Sequence, residues 1–224
     1  MSEGPQPSGL RAMYGPELTF LGIARCDLAD PSSYAAADVV ILGAPYDAGT
    51  SYRPGARFGP GAIRAADYLP HDAERPHLAL AVDALADLVV VDAGDVEMPP
   101  TETELSLRRL EDAVHSVCAA GAIPVVLGGD HTIAWPDVTG VARHHGYGRV
   151  DPGMAPGTGT PEPGGLTSRQ LLDAVRRLAV ELPVVGIDVV EVAPAYDTAD
   201  VTSLLANRVV LEALSGIAVR RRSA

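Results

Sequence analysis

Apolar residues fall along this chain in short continuous runs, separated by stretches with helical spacing. Four runs, at 39–43, 88–92, 123–127 and 183–190, are rich in Val, Ile and Leu and bounded by Gly, Pro or Asp. Runs of this length without polar alternation predict strands buried on both faces, as in a parallel sheet. Between them, Thr101 to Glu104 predicts a capping box opening a helix with Leu107, Leu110, Val114 and Val117 on one face, closed by Gly121. Thr167 with Gln170 predicts a second, leading into Leu171, Leu172, Val175 and Leu178. A last helix is expected from about Thr202 to Leu214, with Gly216 as its stop. Alternating strands and helices predict a three-layer α/β/α domain with a parallel sheet. Residues 1–36, rich in Pro, Gly and Ser, are expected to form an N-terminal arm, and 37–224 a single domain.

Composition narrows the chemistry. All 17 basic residues are arginine, so Schiff-base catalysis, pyridoxal phosphate attachment and a P-loop lysine are excluded. A formal net charge of −12 argues against nucleic acid and anionic membranes as partners and favours a small cationic one. The start carries no basic segment followed by an apolar core, and Cys26 and Cys118 lack metal or redox spacing. A cytoplasmic location is the expectation.

In open α/β sheets, ligands bind at the carboxyl ends of the strands. Those ends carry Asp47, Asp92 and Asp95, Asp130 and His131, and Asp188 and Glu191. Taken singly, each carboxylate is more readily a helix cap or a solvated turn residue than a ligand. The stretch 152–165 holds four Pro and five Gly around a single charged residue, Glu162, the composition of a stiffened binding loop rather than a linker.

These blocks carry a resemblance. G-A-P-Y-D-A-G-T-S-Y-R-P-G-A-R-F-G-P-G-A-I-R at 43–64, V-V-D-A-G-D-V at 90–96, I-P-V-V-L-G-G-D-H-T-I-A-W-P at 123–136, A-P-G-T-G-T-P-E-P-G-G at 155–165 and V-V-G-I-D-V-V-E-V-A-P-A-Y-D at 184–197 resemble the ureohydrolase (arginase/agmatinase) family, in family order. The arm Y-G-P-E-L-T-F-L-G-I and the final P-A-Y-D turn are closest to the agmatinase type. The resemblance implies hydrolysis of a guanidino compound, agmatine to putrescine and urea, at a binuclear Mn centre; guanidinobutyrate is the nearest alternative substrate. It also implies a homo-oligomer. The His of G-G-D-H binds one metal in the family, which assigns His131, and the loop glutamate that meets the guanidinium assigns Glu162.

The same comparison exposes a gap. The family continues from the segment 144–150 into a D-A-H-x-D strand and later an S-x-D-x-D-x-x-D-P motif. Here Val150 is followed by Asp151-Pro152, which match only the end of the second motif. His131 therefore remains, while one His and four Asp ligands are missing. An internal deletion of roughly 60–90 residues between Val150 and Asp151 accounts for this, at about 30 residues per βα unit. The family strand order 2-1-3-8-7-4-5-6 would shrink to a four-stranded remnant, 2-1-3-8, whose last strand is an exposed apolar edge. A guanidinium carbon is a poor electrophile, and hydrolysis needs the hydroxide that two metal ions generate. The chain is expected to be inactive alone, with a non-catalytic remnant as the alternative reading.

Overall fold

A computed structural model describes residues 18–66, 76–134 and 150–223; the N-terminal Y-G-P, the end of the 123–136 motif and the segment 144–149 lie outside them. In chain order the elements are β1 (Ala24–Arg25), β2 (Val39–Ala44), α1 (Gly59–Ala65), β3 (Pro76–His77), β4 (Val82–Asp83), α2 (Ala84–Asp87), β5 (Val90–Asp95), α3 (Thr103–Ala119), β6 (Ile123–Gly128), α4 (Ser168–Glu181), β7 (Ile187–Val189) and α5 (Val201–Ser223). The main sheet runs β1-β5-β2-β6-β7, and all its pairs are parallel. The expected order 2-1-3-8 is present as β5-β2-β6-β7. One strand is added to it: β1 pairs Ala24 with Val91 and Arg25 with Asp92 along the outer edge of β5.

The central strand β2 explains the layers. Val39 and Ile41 point to a core shared with Ile63 of α1 and Val210, Leu214 and Ile217 of α5. Val40 and Leu42 point the other way, to Leu110, Val114 and Val117 of α3. Strands buried on both faces read as continuous apolar runs, which is why the pattern was visible. Phe20 and Tyr34, from the stretch before β2, are also buried in these two cores.

Three local expectations change. The capping box at Thr101 does not form: Glu102 is the N-cap without a side-chain cap, because Glu102 N–H bonds to Pro99 C=O and moves the helix start by a residue. The box at Thr167 and Gln170 does form. Gly216 does not stop the last helix, which continues to Ser223. It is a contact instead: a Cβ there would lie 2.4 Å from that of Ala179, so glycine lets α5 approach α4. The face expected to bury α4 is half covered, with Ala179 buried and Leu178 48% exposed. The last strand is shorter than the apolar run, three residues, and forms the open edge of the sheet. The stretch Thr198–Ser223 is long and apolar enough to cross a membrane, yet 72% of that window is buried inside the fold, as expected of a core helix.

Candidate active site

The loops that leave β2, β6 and β7 converge at the carboxyl end of the sheet. Gly129 makes the close approach possible: a Cβ there would lie 1.7 Å from the Tyr46 carbonyl oxygen, and Asp130 N–H donates to that same oxygen at 2.7 Å. Asp130 is 2% exposed and accepts from Gly49 N–H (2.8 Å), the Thr50 hydroxyl (3.3 Å) and Thr132 N–H (2.9 Å). His131 follows it, exposed, at the start of a short turn, and its N–H donates to Glu191 Oε1 at 2.9 Å. Glu191 is held on the other side by its own N–H, which donates to Gly129 C=O at 2.8 Å. Its φ of 70° is left-handed, a strain of about 1–3 kcal/mol for a residue with a side chain. Strain of this size persists where neighbouring contacts over-determine the backbone.

The other strand-end carboxylates are committed to the protein. Asp47 accepts from Gly55 N–H at 2.7 Å and Arg57 N–H at 3.3 Å, and pairs with the Arg57 guanidinium at 2.6 Å. Burial alone would raise its pKa; the hydrogen bonds from Arg57 and from Gly55 N–H outweigh it and hold the group below the usual carboxylate range. Asp92, fully buried, takes Arg64 in a two-point bond at 2.9 and 3.0 Å, with Phe20 N–H and Gly94 N–H completing its shell. Arg64 also reaches Asp95 at 2.5 Å. Asp188 lies inside β7, in register with Val126, rather than at its end.

The 151–165 loop hangs from the end of β7 and the start of α5. Thr158 bridges to Val192, Ala193 N–H donates to Gly157 C=O at 2.7 Å, and Gly157 N–H donates to the buried Thr202 hydroxyl at 2.8 Å. Asp151, at the proposed junction, closes the loop by accepting from Gly153 and Gly164 N–H at 2.8 and 2.9 Å. Gly159 faces the site: a Cβ there would stand 3.0 Å from Arg53 C=O and 3.1 Å from Glu191 Oε2. Glu162 lies exposed further along. The carboxylate that accepts the His131 backbone N–H is thus Glu191, from the last block. Sequence reading placed it at a strand end but gave it no role, and it missed Arg53, whose guanidinium carbon sits 5.1 Å from the ring centroids of both Tyr52 and Tyr196.

The arginase family model matches residues 37–150 and 148–216, most of the chain. The chain belongs to the arginase family. The two matched segments meet at the Val150/Asp151 junction, which fits an internal deletion there. Proclavaminate amidinohydrolase of Streptomyces clavuligerus is 29% identical over 280 positions, covering 79% of this chain and 87% of the relative. Those positions draw on about 177 of the 224 residues, leaving about 100 without a counterpart. Agmatinase of Bacillus subtilis is 27% identical, covering 84% of this chain and 95% of the relative. The solved structure of the Streptomyces protein superimposes with a TM-score of 0.80 at 26% identity, covering 94% of this chain and 100% of that one. An arginase-family hydrolase fold, a parallel sheet with flanking helices, is therefore shown.

The family generally uses two manganese ions, and the donor set among the described residues does not suit them. Among the described residues, no group of three or more His, Cys, Asp or Glu side chains is arranged to hold a metal ion. The Asp47, Asp92 and Asp130 carboxylates are occupied by arginine, hydroxyl and backbone donors. Bridging carboxylates are what offset two dications, and His131 alone cannot replace them.

Proposed function

We propose that this chain is the guanidinium-recognising part of an agmatinase-type ureohydrolase and that, as a single chain, it does not turn over. The observation that carries the reading is Glu191, placed beside Gly129 and accepting from the His131 backbone N–H, at a crevice where Asp47 and Asp130 are tied to protein donors. Glu191 Oε2 and Arg53 C=O face each other over Gly159, two acceptors of the kind that a planar cation with N–H donors satisfies. Glu162, on the loop above, is the second carboxylate proposed to meet the guanidinium. Agmatine is the proposed parent substrate and guanidinobutyrate the alternative. A cytoplasmic location is proposed with it, consistent with two cysteines that form no disulfide, as is assembly into a homo-oligomer.

Urea release from agmatine, with and without Mn²⁺, tests this. The unaltered chain is expected to stay at the uncatalysed level. A homologous segment inserted between Val150 and Asp151, bearing both missing motifs, is expected to restore Mn²⁺-dependent release. In that repaired chain Glu162→Gln and Glu191→Gln should weaken substrate handling, and His131→Ala should weaken metal retention. Chelator-sensitive turnover by the unaltered chain would refute its silence, and failure of the insertion to rescue would refute the agmatinase-type reading.

A further inference from the structure

The 151–165 loop is anchored beside the crevice through Gly157, which uses both of its backbone groups. Its C=O accepts from Ala193 N–H at 2.7 Å, and its N–H donates to the Thr202 hydroxyl at 2.8 Å. Gly157 and Thr202 are both buried, so removing that hydroxyl leaves a buried N–H without its acceptor. From Gly157 the chain passes the Thr158 bridge to Val192 and reaches Gly159, whose missing side chain leaves the gap between Arg53 C=O and Glu191 Oε2. The Thr202 bond is thus two residues from the gap where the guanidinium is proposed to sit.

Thr202 stands where it does because of a hook in the chain before α5. Ala199 and Asp200 are both left-handed, with φ of 54° and 56°. Asp197 holds the hook shut: one carboxylate oxygen accepts from Thr202 N–H at 2.8 Å, the other from Ser203 N–H and the Ser203 hydroxyl, both at 2.9 Å. These bonds satisfy the first turn of α5 and fix Thr202 against the loop. Only glycine fits opposite, because a Cβ at 157 would lie 2.6 Å from Asp197 Cβ. Of the five left-handed residues with side chains among the described residues, three, Glu191, Ala199 and Asp200, fall in this one stretch. Backbone strain gathered in one place marks a geometry held for a purpose.

We propose that Thr202 is a positioning residue: its hydroxyl, set by the Asp197 hook, holds the 151–165 loop at the spacing from Glu191 that a guanidinium requires. This rests on the reading that Glu191 takes the guanidinium. Without the bond the loop has several placements, and the apparent affinity falls with the fraction of molecules that keep the competent one. A purely structural role gives a different result, a lower unfolding midpoint with ligand affinity intact.

The test uses the full chain with agmatine in calorimetric titrations, beside hydrogen exchange at Ala193 N–H and urea unfolding. Thr202→Val keeps the shape and removes the hydroxyl, whereas Thr202→Ser keeps the hydroxyl. The expected result is about tenfold weaker agmatine binding in Thr202→Val, the scale of one hydrogen bond, and affinity within about twofold of the unaltered chain in Thr202→Ser. Asp197→Asn, which leaves one acceptor oxygen where there were two, should fall between them, and it decides the matter if Thr202→Val does not fold. Unchanged agmatine affinity in the deciding variant, or an equal loss in Thr202→Ser, overturns the proposal. No agmatine binding by the unaltered chain, or binding that Glu191→Gln leaves as it was, refutes the Glu191 reading instead. Ala193 N–H then tests Thr202 by itself: exchange about tenfold faster in Thr202→Val keeps the hydroxyl as the anchor of the loop, and an unchanged rate overturns that as well.

Discussion

Glu212 on α5 is 1% exposed and is the point where three pieces of the fold are tied together. It accepts from His77 Nε2 of β3 at 2.9 Å, from Arg176 Nε of α4 at 2.9 Å, and from Arg208 Nε and Nη2 at 3.0 and 2.7 Å. Burial alone would raise its pKa; the bonds from Arg176, Arg208 and His77 outweigh it and lower the pKa from 4.5 to about 2. A folded-state pKa below the unfolded one means that the carboxylate stabilises the fold above about pH 4.5. That contribution is lost as the pH falls through about 2. The gap corresponds to about 3 kcal/mol at neutral pH, at 1.36 kcal/mol per pKa unit. Glu212→Gln keeps the size and removes the charge, so it should cost about 3 kcal/mol at pH 7. The low end of the range for breaking a buried pair applies, because Arg176 and Arg208 are 28% and 45% exposed and can turn to water. Urea unfolding of both proteins at pH 7 and pH 3 measures it. By pH 3 about half of the wild-type advantage should be gone. A loss of the same size at both pH values, or one below about 1 kcal/mol at pH 7, would show that Glu212 acts through packing and not through its charge.

Other expectations follow from the same geometry. After dialysis against micromolar Mn²⁺ the chain should carry far less than one ion per molecule by elemental analysis, and His131→Ala should leave that value unchanged; two ions per chain, lost on the substitution, would mean that Asp47 or Asp130 can be freed from its donors. The open strand β7, beside Leu178, Leu182 and Val185, which are 48%, 50% and 58% exposed, should make the chain associate with rising concentration, and Val185→Lys should reduce this in sedimentation velocity; a clean monomer at every concentration would refute it. Gly159→Ala should abolish guanidinium binding in calorimetry by placing a methyl group between Arg53 C=O and Glu191, and unchanged affinity would move the binding site elsewhere.

Much of the fold was legible because its signals are local. Four apolar runs became four neighbouring parallel strands, and the order among them followed from the resemblance. What stayed hidden depends on partners distant in sequence. Strand β1 is two exposed residues that pair only through backbone groups with β5, and no side-chain pattern marks them. The sequences T-E-T-E and T-S-R-Q carry the same capping signal, yet Pro99 and Pro100 redirect one start and leave the other alone. Gly216 carries the signal of a helix stop, and its use as a contact becomes visible only once Ala179 is known to lie against it.

The site shows the same division more sharply. Position along a strand picked out Asp47, Asp95, Asp130 and Glu191 near the carboxyl end of the sheet, but it could not assign them work, because work depends on which donors the fold brings to each. Asp130 is satisfied by Gly49 and Thr50, about eighty residues earlier, and Asp92 by Arg64. A carboxylate saturated by backbone and arginine donors is a structural anchor, and extracting it to bind a cation would leave those donors buried and unpaired, at about 1–3 kcal/mol each. Glu191 differs because its second oxygen faces Gly159 and the crevice instead of a backbone cap. The signals that could have singled it out are its place two residues past β7 and the small residues facing it. Its strained backbone could not be read from the sequence. The matched family segments meeting at Val150/Asp151 fit a deletion there, and among the described residues the crevice keeps its anchored carboxylates without a metal-holding group, so substrate recognition is the part of the chemistry proposed for it.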